Sequence, residues 1–115
     1  MHMNEPLKDS PLALLSKKSV QPGDQVPNET FGFSPVNPDR PLVNQKLKAN
    51  ASHKWYYYPD MTANEVIAFT QLNLKKGEEP TECHSVFHTA FNDPTTPEGS
   101  AKRMSCEFRA PLLLK

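Results

Sequence analysis

Proline is the feature that most limits what this chain can fold into. Twelve of the 115 residues are proline, and each has a fixed φ and lacks a backbone N–H donor. Seven of them precede Asn50, where turn signals such as Gln21-Pro22-Gly23-Asp24 recur and apolar residues are sparse. The sequence predicts one incomplete domain over residues 1–115. It divides into a tail (1–10), a Pro-rich, irregular wrapping segment (11–52) and a β-rich part (53–115).

Composition allows only a thin core and argues against two classes of partner. Leu, Ile, Val and Phe together number 24, just above the ~20% level below which disorder is expected. The 13 basic and 13 acidic side chains balance, whereas a nucleic-acid-binding module needs a clustered basic excess. No apolar run approaches the ~18 residues of a membrane span, and the N-terminus does not resemble a signal peptide. We therefore expect no nucleic acid, no membrane and a cytoplasmic location.

Aromatic and alternating segments after Asn50 predict three or four antiparallel strands, and the apolar run Pro11–Leu15 predicts one more short strand. An aromatic run ended by Pro59 favours a strand, and the alternation before Phe91 favours another. Thr62 and Glu65 form a capping box, which predicts a helical turn. So few strands leave exposed edges, which call for a protein partner or a homo-oligomer. The predicted strands are Pro11–Leu15, Trp55–Tyr58, Val66–Leu74, His84–Phe91 and Arg103–Leu114.

The densest group of chemically useful side chains lies in the last third of the chain. His84 and His88 are four residues apart, about 13 Å along a strand, so at most one of them can ligate a given metal ion. A zinc site made with Cys83 and Cys106 would match no common ligand spacing. The simplest interpretation of both histidines is a pair of partly buried, hydrogen-bonded strand residues.

A second interpretation pairs His88 with Arg103 across two adjacent strands. An imidazole can ligate Fe(II), and a guanidinium can bind a carboxylate through two parallel hydrogen bonds. An iron site that binds a keto acid needs both groups. Arg109 has the same strand parity as Arg103, so periodicity does not separate the two arginines.

Several segments, taken in order, resemble one family over nearly the whole chain, from Pro6 to Leu114. That family is the hydroxylase/desaturase family of fungal secondary metabolism and mycotoxin biosynthesis. It includes gibberellin-desaturase-like proteins and the small component of the bacterial cephamycin 7α-methoxylase. The resemblance is to the C-terminal portion of these proteins. It is carried by Pro11-Leu12-Ala13-Leu14, His53-Lys54-Trp55-Tyr56-Tyr57-Tyr58-Pro59-Asp60-Met61, His88-Thr89-Ala90-Phe91-Asn92-Asp93-Pro94 and Arg103-Met104-Ser105-Cys106-Glu107-Phe108-Arg109.

The resemblance implies a mostly β fold, the C-terminal part of a double-stranded β-helix or jelly roll, that uses Fe(II) and 2-oxoglutarate to oxidise a small metabolite. By order along the chain, His88 would be a metal ligand and Arg103 the keto-acid anchor, with Arg109 as the second choice. His88 and Arg103 would then face one concavity, with His84 at its rim.

One departure from the family concerns the iron ligands themselves. The family's His-x-Asp pair lies upstream of the segment that resembles Pro6–Ser19, and this chain contains no His-x-Asp. The sequence therefore predicts a truncated hydroxylase/desaturase whose independent catalysis is uncertain. Two alternatives stay open: a non-catalytic accessory subunit that lends strands to a longer oxygenase, and a β-rich binding module without a metal.

Overall fold

The computed structural model describes residues 6–32, 37–39, 42–71 and 85–110. Within these ranges the chain forms two antiparallel sheets, one of three strands in the order β4-β1-β5 and one of two strands, β2-β3. No helix in the described ranges is long and apolar enough to cross a membrane. The mostly β prediction is confirmed, and the jelly-roll topology stays a prediction. The elements are β1 (Leu12–Leu15), a 3-10 turn (Lys17–Ser19), β2 (Gln25–Thr30), β3 (Leu42–Leu47), β4 (Trp55–Tyr57) and β5 (His88–Ala90).

Strand β1 is the centre of the three-stranded sheet because it is the one uncharged, continuously apolar strand. Leu14 lies opposite Tyr56 on one side and opposite His88 on the other. Ala13 and Leu15 are buried, as is Pro11 just before the strand. The predicted strands at Pro11–Leu15, Trp55–Tyr58 and His84–Phe91 are confirmed in part, as the shorter strands β1, β4 and β5.

Side chains alternate across this sheet and give it two different faces. The aromatic face carries two rows of three side chains that run across the sheet, with Phe91 beyond them. The opposite face, here called the His88 face, carries the residues that alternate with these. The aromatic face comprises Trp55, Leu15 and Phe87, then Tyr57, Ala13 and Thr89, then Phe91; the His88 face comprises Leu12, Leu14, Tyr56, His88 and Ala90.

The prediction of an irregular N-terminal half is wrong for strands β2 and β3, which form a hairpin in register from Gln25↔Leu47 to Thr30↔Leu42. The N–H of Lys48 donates to the carbonyl of Asp24 at 2.8 Å. This bond fixes which residues of β2 direct their backbone N–H groups toward β3. Residue 27 then falls at a position whose nitrogen points away from β3. Pro27 therefore costs this ladder no hydrogen bond, which is the condition under which proline is tolerated in a strand.

Two other predicted elements are corrected. Residues 103–110 form no strand, and residues 111–114 lie outside the described ranges. Likewise residues 66–71 form no strand, and 72–74 are not described. Both sides of β1 are already paired, so the sheet's centre has no place left for either segment.

The predicted helical turn at Thr62 is a tight turn rather than a helix. The N–H of Thr62 donates to the Glu65 carboxylate at 2.8 Å, as a capping box requires. The N–H of Glu65 in turn donates to the Thr62 carbonyl at 3.2 Å. The chain leaves the turn without completing a helix.

Candidate functional site

His88 begins β5 and stands on the His88 face, where its ring lies 4.7 Å from the ring of Phe69, centroid to centroid. Its Nδ1 is 3.0 Å from the carbonyl oxygen of Val86. A carbonyl only accepts, so Nδ1 carries the proton and Nε2 keeps its lone pair. This is the orientation that leaves one imidazole nitrogen available as a metal ligand.

The two candidate keto-acid anchors lie elsewhere and are already engaged. Arg103 is half-buried, and its Nη1 donates to the carbonyl of Ser10 at 3.0 Å. Arg109 is exposed, and its Nε pairs with the Glu107 carboxylate at 2.5 Å. Within the described ranges, no hydrogen bond, ion pair or ring contact joins either arginine to His88. The predicted pairing of His88 with Arg103 on neighbouring strands is corrected, because Arg103 belongs to no strand.

The remaining residues of the predicted cluster assemble no metal centre in the described part of the chain. Cys83 and His84 lie outside the described ranges, and Cys106 is exposed. Among the described residues, no group of three His, Cys, Asp or Glu side chains is placed to hold an ion.

The most highly connected polar group is one that sequence reasoning missed. The Asp24 carboxylate, at the start of β2, is 2.9 Å from Nε2 of His53 and accepts from Nδ2 of Asn50 at 2.9 Å. It also accepts from the backbone N–H of Gln21 at 2.7 Å. The His53 and Asp24 side chains are only 5% and 11% exposed. This cluster, here the Asp24 knot, ties the first residues of β2 to the loop that leads into β4.

Neighbouring hydroxyl groups form further hydrogen bonds that hold the loop leading into β4. The hydroxyl of Ser19 donates to the Ser16 carbonyl at 2.7 Å and accepts from the N–H of Lys54 at 3.0 Å. Ser52 donates from its hydroxyl to the Ser19 carbonyl at 3.2 Å. The loop before β4 is therefore held against the turn that follows β1, and His53 is fixed beside the aromatic face.

Two cavities open beside the aromatic face. The larger, about 430 Å³, is bordered by the end of β3, by Asn50 and His53, and by Trp55, Phe87, His88 and Thr89. The smaller, about 380 Å³, is lined by Ala13, Trp55, Tyr57, Thr89 and Phe91. Tyr57 and Phe91 meet edge to face at 5.0 Å. Both volumes are in the range of small-molecule sites.

The Asp24 knot predicts acid sensitivity of the fold. The amide of Asn50, the N–H of Gln21 and the ring of His53 lower the pKa of Asp24 from 3.8 to about 2. Because the folded-state pKa lies below the unfolded one, this carboxylate stabilises the fold above the unfolded value, and the contribution is lost as pH falls through the folded value.

We therefore expect the urea midpoint, followed by Trp55 fluorescence, to fall between about pH 4 and pH 2. Asp24→Asn keeps the shape of the side chain but cannot titrate, so it should flatten this dependence. An equally steep decline in Asp24→Asn would contradict the assignment.

Comparison with known proteins links the chain to an oxidoreductase-like domain family. The sequence profile of a family described as the oxidoreductase/YMDC permease-like domain matches residues 2–113. The chain is also 25% identical over 105 residues to the Fe(II)/2-oxoglutarate-dependent dioxygenase nvfI of Aspergillus novofumigatus, a match that covers 91% of this chain.

The chain spans about a third of the length of that curated relative, 35%. No solved structure matches. The distant similarity to a dioxygenase supports the coarse part of the predicted resemblance, a link to oxygenases. The profile match extends over nearly all of the sequence, and the chain therefore belongs to the oxidoreductase/YMDC permease-like domain family.

Proposed function

We propose that this chain acts in the oxidation of a small secondary metabolite, as an oxidoreductase of the Fe(II)/2-oxoglutarate type in which His88 is a metal ligand. The observation that carries the proposal is the arrangement of His88, whose Nδ1 is hydrogen-bonded to the carbonyl of Val86, which leaves the lone pair of the neutral ring on Nε2. The similarity to a fungal Fe(II)/2-oxoglutarate-dependent dioxygenase supports it. When bound, iron and the keto acid would activate dioxygen for hydroxylation or desaturation.

The described residues fit this iron site only in part. A non-haem iron site of this type has two histidines and one carboxylate, and the described residues bring together no group of three His, Cys, Asp or Glu side chains that could hold an ion. We therefore assign no step of the reaction to iron from these residues. In the proposed site Arg103, which is half-buried, would bind the far carboxylate of 2-oxoglutarate, and exposed Arg109 is the second choice.

The test is anaerobic titration of the purified chain with Fe(II) in the presence of 2-oxoglutarate, followed by the weak visible charge-transfer band of the ternary complex. We expect the band in the wild type and its loss in His88→Ala, because ligand removal costs affinity outright. Thr89→Ala changes the next residue, on the opposite face, and should keep the band. A band that survives in His88→Ala would contradict the assignment of the ligand.

A second candidate function is that of an accessory chain that lends strands to a longer oxygenase. The observation that favours it is that, among the described residues, the outer edges of β4 and β5 pair with no further strand. If wild-type chain with iron and keto acid gives no band, this second function replaces the first.

A further inference from the structure

The larger cavity combines an apolar wall with one buried polar atom that has no hydrogen-bond partner among the described residues. Trp55, Phe87 and Thr89 of the aromatic face border it, and so do Asn50 and His53. Trp55 is 41% exposed, so one face of the indole is open to whatever enters. A planar apolar molecule would cover this surface by stacking or edge contact.

The buried polar atom is Nδ1 of His53. Its side chain is 5% exposed, and its Nε2 faces the Asp24 carboxylate at 2.9 Å. An ionised carboxylate only accepts, so Nε2 carries the proton, and Nδ1 of the neutral ring is then an acceptor. Among the described residues, Nδ1 has no hydrogen-bond partner. A buried acceptor without a partner is costly unless a ligand or water supplies a donor.

The surroundings of His53 fix the orientation of its ring. Asn50 donates to the same carboxylate, and the N–H of Gln21 donates to it as well. The carboxylate is therefore fixed by three groups at once, and it holds the imidazole as a positioned acceptor rather than a free side chain. Of the two histidines that border the cavity, His88 instead bonds through Nδ1 to its own strand.

We propose that this cavity binds a planar, apolar molecule that carries a hydroxyl group, with its rings against Trp55 and Phe87 and its hydroxyl donating to Nδ1 of His53. The inference deepens the proposed function, and it rests on that function for the statement that the ligand is the substrate. His53 is then a specificity-determining residue, and Asp24 is the residue that positions it. A neutral acceptor rejects a carboxylate, which brings no donor and is repelled by the lone pair.

The experiment uses the full chain without metal, so the iron assignment and this one can fail separately. The dissociation constants of 1-naphthol, naphthalene and 1-naphthoate are measured by ligand-observed NMR. We expect 1-naphthol to bind about two- to tenfold more tightly than naphthalene, the range of one neutral hydrogen bond. We expect 1-naphthoate to bind no better than naphthalene. An absent preference for naphthol, or tightest binding of naphthoate, would overturn the proposal.

His53→Gln separates recognition from folding. The glutamine amide can still donate to Asp24 from the position of Nε2, but it offers no acceptor where Nδ1 stood. Its binding of naphthalene should persist while the preference for naphthol disappears. Tyr58→Phe is the matched control, since it removes a hydroxyl that donates to Glu65 outside the cavity, and it should keep the preference. A preference that persists in His53→Gln would overturn the proposal.

A direct measurement covers the case in which His53→Gln does not fold. The imidazole 15N resonance of Nδ1 in the wild type reports whether that atom accepts a hydrogen bond. Addition of 1-naphthol should shift it, and naphthalene at equal occupancy should not. Equal shifts with the two ligands would refute the role of His53.

Discussion

Replacement of Leu15 by alanine is expected to abolish the cooperative unfolding transition of this chain. Leu15 is 2% exposed, and the other buried apolar residues among those described, Pro11 and Ala13, are smaller. On the aromatic face Leu15 lies in one row between Trp55 and Phe87. Truncating a buried leucine costs about 2–5 kcal/mol, whereas a domain has about 5–15 kcal/mol in total. A core this thin belongs at the low end of that range.

Urea unfolding followed by the fluorescence of Trp55, the single tryptophan, gives the measurement. Val66→Ala is the control, because Val66 is 89% exposed and loses no burial; we expect a change within about 0.5 kcal/mol. A Leu15→Ala transition with the wild-type midpoint would show that the core of the folded chain lies elsewhere.

The strands that were predicted correctly are those whose sequence pattern lies within the strand itself. An uncharged apolar run gives β1, and an aromatic run closed by Pro59 gives β4. The two faces of β5 follow from alternation alone, and the register of His88 and Thr89 against β1 confirms them. Local patterns do not state which strands pair, so the predicted extra strands at 66–74 and 103–114 could not be rejected without the structure.

The hairpin of β2 and β3 was missed because proline was treated as a breaker regardless of position. Whether proline breaks a ladder depends on the direction of its missing N–H. The ladder bond between Lys48 and Asp24 sets that direction for residue 27. The sequence contains no sign of that register, because Gln45, the residue opposite Pro27, lies 18 residues further along the chain, beyond a loop with its own turn signals.

The contacts of the Asp24 knot could not be predicted from the sequence either, because they too depend on how distant segments come together. Asp24 and His53 are 29 residues apart, and Asp24 and Asn50 are 26 apart. Asp24 reads in the sequence as an ordinary turn residue after Pro22 and Gly23. His53 reads as the residue before an aromatic strand. Only the folding of the hairpin brings the two together, so spacing carries no information about the contact.

The second large effect that we expect is loss of self-association on substitution of Ala90 by proline. Leu15 donates to the Phe87 carbonyl, and Phe91 donates to the Pro11 carbonyl. With this alternation, the N–H of Ala90 points away from β1 toward the outer edge of β5, which pairs with no strand among the described residues. At the near end of that edge, the N–H of Val86 donates to the carbonyl of Thr70. Between Val86 and Phe91 there is no lysine, proline or acidic residue to protect that edge. Strand β4 is flanked by Lys54 and Pro59, so we expect chains to pair along β5.

Sedimentation velocity over a concentration series tests this pairing. Proline at position 90 removes a donor that the sheet does not use and blocks a neighbouring strand. We expect association at least about tenfold weaker than in the wild type, as the loss of one or two backbone hydrogen bonds implies.

Thr89→Pro is the matched comparison. The N–H of Thr89 faces β1, and loss of that N–H should unfold the sheet. The urea midpoint of Ala90→Pro should stay near that of the wild type, which separates edge blocking from unfolding. A wild type that stays monomeric, or an Ala90→Pro chain that associates equally well, would show that the β5 edge is not a pairing surface.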